Sequence, residues 1–206
     1  MLYEILNIFE NEEEKEQFFI DRTNRHIQLV QKSVAEILKV YPEYATDIFL
    51  DQVKSHDASK FEEPERTPYI EITWRHKLEK EKDEYDPYNG KGYQTPGKLK
   101  KEDENNATVH HITTNSHHPE YHLEDKDDAN VSIDDRDKSD KCIDASLMPL
   151  LDIVEMSADW QAMAEELQTN TAREWFDKQK DVRWHFTEEQ EELIDKLLKV
   201  FEGEKK

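Results

Sequence analysis

Apolar residues recur with the spacing of α-helices along much of the chain. Phe19, Val30 and Ile37 fall on one stripe of a 3.6-residue period, and His26 shares that stripe. The pattern predicts a first helix over about residues 12–40, with His26 directed inward. A histidine on an apolar stripe is more often a hydrogen-bonded core residue than a metal ligand, so His26 alone does not indicate a function.

Two further helices are predicted in the first half of the chain. Phe49, Val53 and His56 recur at helical spacing after a proline, which favours the first turn of a helix, and Asp57 follows directly. A histidine therefore ends an apolar stripe for the second time. A third helix is predicted from Pro68 onward, with a charged far end.

The strongest helical pattern covers residues 147–167, LMPLLDIVEMSADWQAMAEEL. Its apolar stripe is formed by Ile153, Met156, Trp160, Met163 and Leu167. Asp152, Glu155 and Asp159 fall on the border of this stripe, because each residue advances a helix by about 100°. A carboxylate in that position is expected to be half-buried.

The remaining pattern completes an all-α fold. Thr171-x-x-Glu174 and Thr187-x-x-Gln190 match capping boxes and predict two helices, the last of which closes at Gly203. We expect a single domain over residues 1–206, built as a bundle of about six helices with long charged loops and no strand. The segments at about 86–106 and 122–142 combine glycine, proline or dense charge, which predicts flexible insertions.

Composition excludes several classes of protein. The formal net charge of −21 disfavours non-specific binding to nucleic acid. The chain has no apolar run near the ~20 residues that cross a bilayer and no signal-peptide pattern, so we expect a cytoplasmic protein that does not bind membranes. The single cysteine, Cys142, excludes a disulfide framework and a paired-cysteine zinc site. No pattern indicates the oligomeric state.

Histidines are concentrated in one short tract. Five of the nine lie in HHITTNSHHPEYH, residues 110–122. Three of them, His111, His117 and His118, form an ordered set of imidazoles and carboxylates with the inward-facing His26, the His56-Asp57 pair and Asp159, on separate helices or helix ends. His110 and His122 are not expected to belong to this set. Helical proteins build metal centres from such facing side chains. This mixture of ligands suits Mn, Fe, Zn, Ni or Co, and its size predicts one or two divalent transition-metal ions.

The order of these residues resembles that of the HD-domain superfamily of metal-dependent phosphohydrolases, over about residues 20–165. HDASKF, HITTNSHHPEY and DIVEMSADW also resemble the motifs of an uncharacterised family of bacterial and phage proteins. The chain departs from the HD-GYP phosphodiesterases, because its histidine tract is shorter and the Gly-Tyr-Pro element is absent. Specificity for cyclic dinucleotides is therefore not implied.

The HD-domain resemblance implies an HD-like helical domain with two sets of metal ligands. The residues implied for the first ion are His26, His56, Asp57 and Asp159. Those implied to contribute to a second ion are His111, His117 and His118, with Asp57 as the bridge between the ions.

The activity that follows is hydrolysis of a nucleotide or other small phosphorylated compound by metal-activated water. The candidate catalytic residues are Asp57, Lys60 and Glu120, and Arg22 and Lys60 are candidates for binding the substrate phosphate. Glu155 or Glu120 is expected to bind the second nitrogen of a ligand histidine. Two alternatives stay open: a di-iron oxygenase, which uses nearly the same ligands, and a non-catalytic, metal-stabilised helical protein that interacts with a partner.

Overall fold

Helices dominate the computed structural model of the chain, which describes residues 2–80, 100–130, 135, 138, 140, 142–168 and 170–203, with side chains from residue 12 onward. The helices within these ranges are α1 Leu2–Val40, α2 Asp47–Lys54, α3 Arg66–Lys80, α4 Lys101–Thr114, α5 Leu150–Leu167, α6 Ala172–Gln179 and α7 Glu188–Glu202. Four 3₁₀ turns also occur there: Pro42–Tyr44, Ala58–Phe61, Pro119–His122 and Lys126–Ala129. The predicted all-α class is confirmed.

The described residues contain seven α-helices, in agreement with the predicted bundle of about six. The expectation of no strand is wrong in one detail, because the same residues include a short parallel pairing of β1 Ile143–Asp144 with β2 Trp184–His185. Each strand has only two residues, which is too short to produce an alternating pattern in the sequence.

Helix α4 includes residues 101–106, which the sequence places in a flexible insertion. Its first turn contains Glu102, Asp103 and Glu104, and acidic residues stabilise the N-terminus of a helix. The guanidinium of Arg75 donates two hydrogen bonds, of 3.0 and 2.6 Å, to the Glu104 carboxylate. An ion pair therefore holds this helix, and the apolar pattern could not reveal it.

The other parts of the predicted insertions are only partly described. Residues 86–99 lie outside the described residues, as do residues 131–134, 136, 137, 139 and 141. The described part of the second insertion contains the 3₁₀ turn Lys126–Ala129, in which Asp125 accepts a hydrogen bond of 2.9 Å from the backbone N–H of Asp127.

The chain divides into two compact units: Met1–Asn24 with Ala58–His111, and Arg25–Asp57 with Ile112–Lys206. The single domain expected over residues 1–206 stays a prediction. In the first unit, Trp74 and Leu78 are buried and Phe18 packs edge-on against Trp74, with 5.8 Å between the ring centroids.

The second unit is built around α5, which packs against α6 and α7. Ile153, Met156 and Trp160 of the predicted stripe are buried, and so are Val154 and Ala158 on other sides of the helix. Both predicted capping boxes are present, at the first turns of α6 and α7, and α7 ends before Gly203 as expected. No helix in the described ranges has the length and apolar character to cross a membrane.

Candidate metal centre

Asp57 lies at the centre of a cluster of polar side chains in the second unit. It follows the end of α2 and is only 1 % exposed. Its φ angle of 59° lies in the left-handed region, which few residues other than glycine, asparagine and aspartate adopt. Such conformations cluster at functional sites, where the surrounding structure holds them in place.

Three imidazoles direct their Nε2 atoms at the Asp57 carboxylate. The Nε2 atom of His26 lies 3.7 Å from Oδ2, and those of His56 and His117 lie 3.8 and 3.7 Å from Oδ1. These distances are too long for hydrogen bonds. Two ligand atoms that each lie about 2.0–2.2 Å from one ion are less than about 4.4 Å apart, so the spacing suits groups that share an ion.

Asp159, on α5, completes the set predicted for the first ion. Its Oδ1 atom lies 2.9 Å from His26 Nε2 and 3.9 Å from His56 Nε2. The structure thus brings together His26, His56, Asp57 and Asp159, from three segments that are far apart in the sequence. Among the described residues of this unit, two buried clusters could hold a metal ion: one of His26, His56 and Asp57, and one of His56, His117 and Glu155.

Carboxylates lie at the second ring nitrogens of these histidines. The Nδ1 atom of His56 is 2.8 Å from Glu155 Oε1, and that of His26 is 3.5 Å from Glu166 Oε2. The Nδ1 atom of His117 is 3.8 Å from the same Glu155 oxygen. Metal-bound histidines commonly have a carboxylate in this position, which holds the proton on Nδ1 and leaves Nε2 for the ion. The buried Nε2 atom of His56 makes no hydrogen bond within the described residues.

Gln52 holds the two carboxylates of α5 next to this cluster. Its amide nitrogen lies 2.6 Å from Asp152 Oδ1 and 2.6 Å from Glu155 Oε2, so its two hydrogens can be donated to these two acids. Ser116 Oγ donates a further hydrogen bond of 2.9 Å to Asp152 Oδ1. Asp152 and Glu155 are therefore buried more deeply than the half-buried position that the sequence predicts.

The pKa values of His26 and Asp159 indicate an ion pair when no metal is bound. Burial lowers the pKa of His26, but hydrogen bonds with Asp159 and Glu166 outweigh this effect and raise it to about 9. Burial raises the pKa of Asp159, and the contact with His26 brings it below its usual range. A metal-bound imidazole must be neutral, so an ion at Nε2 would have to displace this proton.

Glu120 has different neighbours from those predicted. Its carboxylate is buried, its Oε1 atom accepts a hydrogen bond of 3.1 Å from the indole N–H of Trp184, and the same oxygen lies 3.5 Å from Nη2 of Arg183. Among the described contacts, the carboxylate nearest to a ligand histidine is that of Glu155. The predicted catalytic role of Glu120 stays a prediction.

The ring of the predicted site residue His118 lies beside that of His117 in a tilted arrangement, with 4.3 Å between their centroids and 42° between their planes. His122 and His185 have other partners, the carbonyl oxygen of Ser116 at 2.8 Å and the carboxylate of Asp181 at 2.8 Å.

His111 belongs to the first unit, where Glu65 holds it. The Glu65 carboxylate is fully buried, and its oxygens lie 2.9 Å from His111 Nδ1 and 2.7 Å from His110 Nδ1. Burial raises the pKa of Glu65, but these contacts and a hydrogen bond from Ser59 bring it below its usual value. His111 therefore also has a carboxylate at Nδ1, and its role as a ligand stays a prediction.

The two cations predicted to bind phosphate also belong to the first unit. The ammonium group of Lys60 lies over the ring of Tyr69, 5.2 Å from its centroid. Arg22 is close enough to His76 for its charge to lower the pKa of that imidazole, together with burial, which is the larger effect. Neither contact tests the predicted binding of substrate.

The sequence interpretation did not single out three residues that contact the histidines or their partners. Glu166 lies seven residues after Asp159, two turns further along the same face of α5, so its position could have been found from the helical period. Gln52 lies one turn before His56, so the helical period could have identified it as well. Glu65 precedes α3 outside any periodic pattern, and only the structure shows its contacts.

No curated protein and no solved structure matches this chain. One family model, described as "Family of unknown function (DUF5662)", matches residues 15–200. That range includes every residue of the centre described above. It supports the predicted resemblance to an uncharacterised family, whereas the relation to HD domains stays a proposal. The chain belongs to the DUF5662 family, whose function is unknown.

Proposed function

We propose that this protein is a metal-dependent phosphohydrolase of the HD type, which acts on a nucleotide or another small phosphorylated compound. The supporting observation is the convergence of the Nε2 atoms of His26, His56 and His117 on Asp57, at distances of 3.7 to 3.8 Å. Buried imidazoles that served only packing would be expected to form hydrogen bonds at both nitrogens. His56 Nε2 forms none within the described part of the chain.

In this proposal, His26, His56, Asp57 and Asp159 would hold one divalent transition-metal ion, and His117 would contribute to a second. Such an ion, when bound, lowers the pKa of a coordinated water and neutralises charge that develops on phosphoryl oxygens. Glu155 keeps the proton of His56 on Nδ1, so that Nε2 stays available to the ion.

Access to the centre is from the side of Asp159. Its side chain is 14 % exposed, whereas those of His56 and Asp57 are 0 % and 1 % exposed. Asp159 also lines a cavity of about 260 Å³ together with His118. Water and a substrate phosphate would therefore approach through this cavity. A second cavity, of about 210 Å³, lies beside His56, His117 and Glu155.

The proposal is tested by measuring hydrolysis of a panel of phosphate monoesters and diesters with Mn²⁺, Co²⁺, Ni²⁺ or Fe²⁺. The variant is Asp57→Asn, because asparagine tolerates the left-handed backbone at this position. Asp51→Asn is the matched control: Asp51 is 74 % exposed and pairs only locally with Lys54 in the described structure. We expect metal-dependent turnover that falls at least about a hundredfold in Asp57→Asn and is unchanged in Asp51→Asn.

Two results would overturn the proposal. One is the absence of turnover in protein that holds a stoichiometric metal ion, across the whole panel. The other is oxygen uptake by the iron-loaded protein with a mixed-valence signal, which would establish the di-iron oxygenase instead.

A further inference from the structure

The cavity beside Asp159 has apolar walls on the side away from the metal centre. It is lined by Trp160, Met163, Leu167, Trp175 and Trp184, all in the second unit. The indoles of Trp160 and Trp184 are stacked, with 5.8 Å between centroids and 21° between planes. Phe176 stacks on Trp160 with a centroid distance of 5.9 Å, so these walls are held by the core.

The apolar stripe of α5 gives a second, independent indication. Ile153, Met156 and Trp160 are buried by the core, but Met163 is only partly buried and Leu167 is 45 % exposed. The sequence predicts one uninterrupted buried stripe, and the structure leaves its last two members at the cavity. Large apolar side chains left in contact with water beside a concave surface are typical of a binding site.

The cavity adjoins the proposed metal centre. Asp159 belongs to both, since it lines the cavity and contacts His26 at 2.9 Å. A substrate whose phosphate lies at the centre would therefore direct its organic group toward the apolar lining of the cavity. The planar guanidinium of Arg183 also lines the cavity and lies 4.4 Å from the centroid of the Trp184 ring, which disfavours a cationic group there.

We propose that this cavity binds the organic part of the substrate, and that this part is an uncharged, planar aromatic group about the size of two fused rings. The inference rests on the proposed phosphohydrolase function. A cavity of about 150 Å³ in a protein core holds benzene. The cavity here has about 260 Å³, which leaves room for a second ring. Tryptophan, methionine sulfur and guanidinium all make favourable contacts with aromatic rings.

Hydrolysis of matched pairs of phosphate esters tests the inference. One pair is 2-(1-naphthyl)ethyl phosphate and ethyl phosphate, whose leaving alcohols differ little in acidity, and the other is adenosine monophosphate and ribose 5-phosphate, so that a plain aryl group and a nucleobase are distinguished. We expect kcat/KM to be higher for the aromatic member of at least one pair by about ten- to hundredfold, the range that stacking on aromatic side chains provides.

The variant for this test is Ala164→Trp, which fills the cavity without altering any proposed metal ligand, since Ala164 lines it and is only partly buried. Leu150→Trp is the control, because it adds the same indole at an exposed position at the other end of α5. Ala164→Trp should abolish the preference for the aromatic ester, because it should lower kcat/KM for the aromatic ester more than kcat/KM for the small ester. Leu150→Trp should change neither.

Binding of 1-naphthol, measured by calorimetry, separates failure of this inference from failure of the proposed function. Naphthol binding that is lost only in Ala164→Trp supports the aromatic site even if no ester is hydrolysed. The inference is overturned if naphthol does not bind. It is also overturned if esters are hydrolysed with equal kcat/KM for both members of each pair in all three proteins.

Discussion

Replacing Glu155 by glutamine should weaken metal binding without unfolding the protein. The Glu155 carboxylate is 1 % exposed, lies 2.8 Å from His56 Nδ1 and accepts a hydrogen bond of 2.6 Å from Gln52. Glutamine has the same shape but no charge, and one of its two terminal atoms is an NH₂ group. In one orientation, this group faces His56 Nδ1 and shifts the imidazole proton to Nε2, where it blocks the ion. In the other, the hydrogen bond to His56 remains but the negative charge is lost.

The size of the effect follows from the position of Glu155 behind His56, a proposed ligand. Loss of a carboxylate that orients a metal-bound histidine reduces metal affinity about 10- to 100-fold, which corresponds to about 1.4–2.8 kcal/mol. The disturbed contact with Gln52 should also lower the free energy of unfolding by about 1–3 kcal/mol. The control variant must therefore lower the free energy of unfolding by disturbing the contact with Gln52, without lowering the affinity for the metal.

Asp152→Asn is that control. Asp152 lies one turn earlier on α5 and accepts the other hydrogen bond of Gln52, also at 2.6 Å. Its other described contacts are with Ser116 and His122, neither of which is a proposed ligand. In calorimetric titration of the folded proteins with Mn²⁺ or Co²⁺, we expect the dissociation constant of Glu155→Gln to be 10- to 100-fold higher than that of the native protein. The dissociation constant of Asp152→Asn should stay within about threefold of the native value. Equal affinity in all three proteins, or an equal loss in both variants, would refute the role of Glu155.

Two further predictions concern stability. Glu71 is buried and paired with Lys15 at 3.0 Å, so Glu71→Ala should leave the buried charge of Lys15 without this partner. Chemical denaturation should show a free energy of unfolding lower by about 3–5 kcal/mol. Glu14 is exposed and pairs with Lys77, so Glu14→Ala should lower it by less than about 1 kcal/mol. A near-zero effect of Glu71→Ala would contradict the buried pair. Thr187→Ala should cost about 1 kcal/mol, because Thr187 Oγ1 accepts a hydrogen bond of 3.2 Å from the Gln190 N–H, and Thr187→Ser should restore most of the loss. Equal melting temperatures for the alanine and serine variants would exclude the cap as the cause.

The helical period predicted the parts of the fold and site that depend on apolar stripes. His26 and His56 were expected to face inward because they share stripes with Phe19 and Phe49, and all four are buried. The two C-terminal capping boxes were visible because their hydrogen bonds join residues three positions apart. In each case, the spacing of residues close together in the sequence was sufficient to predict the feature.

Features held together by contacts between distant polar residues could not be predicted in this way. The Arg75–Glu104 pair that holds α4 and the contacts of Glu65 with His110 and His111 join residues 29 or more positions apart. No periodic pattern encodes such pairing. The sequence reduced the partner of a ligand histidine to two carboxylates, Glu155 and Glu120, without saying which histidine, and the structure has Glu155 beside His56.

The centre itself is tested most directly by the metal content of the purified protein. Protein prepared without a histidine tag should contain at least one equivalent of a transition metal per chain by elemental analysis. His56→Ala and Asp57→Ala should lose this metal and unfold at a lower temperature than the native protein. Native protein with less than one equivalent, together with variants that match its metal content and stability, would contradict a metal centre built from these side chains.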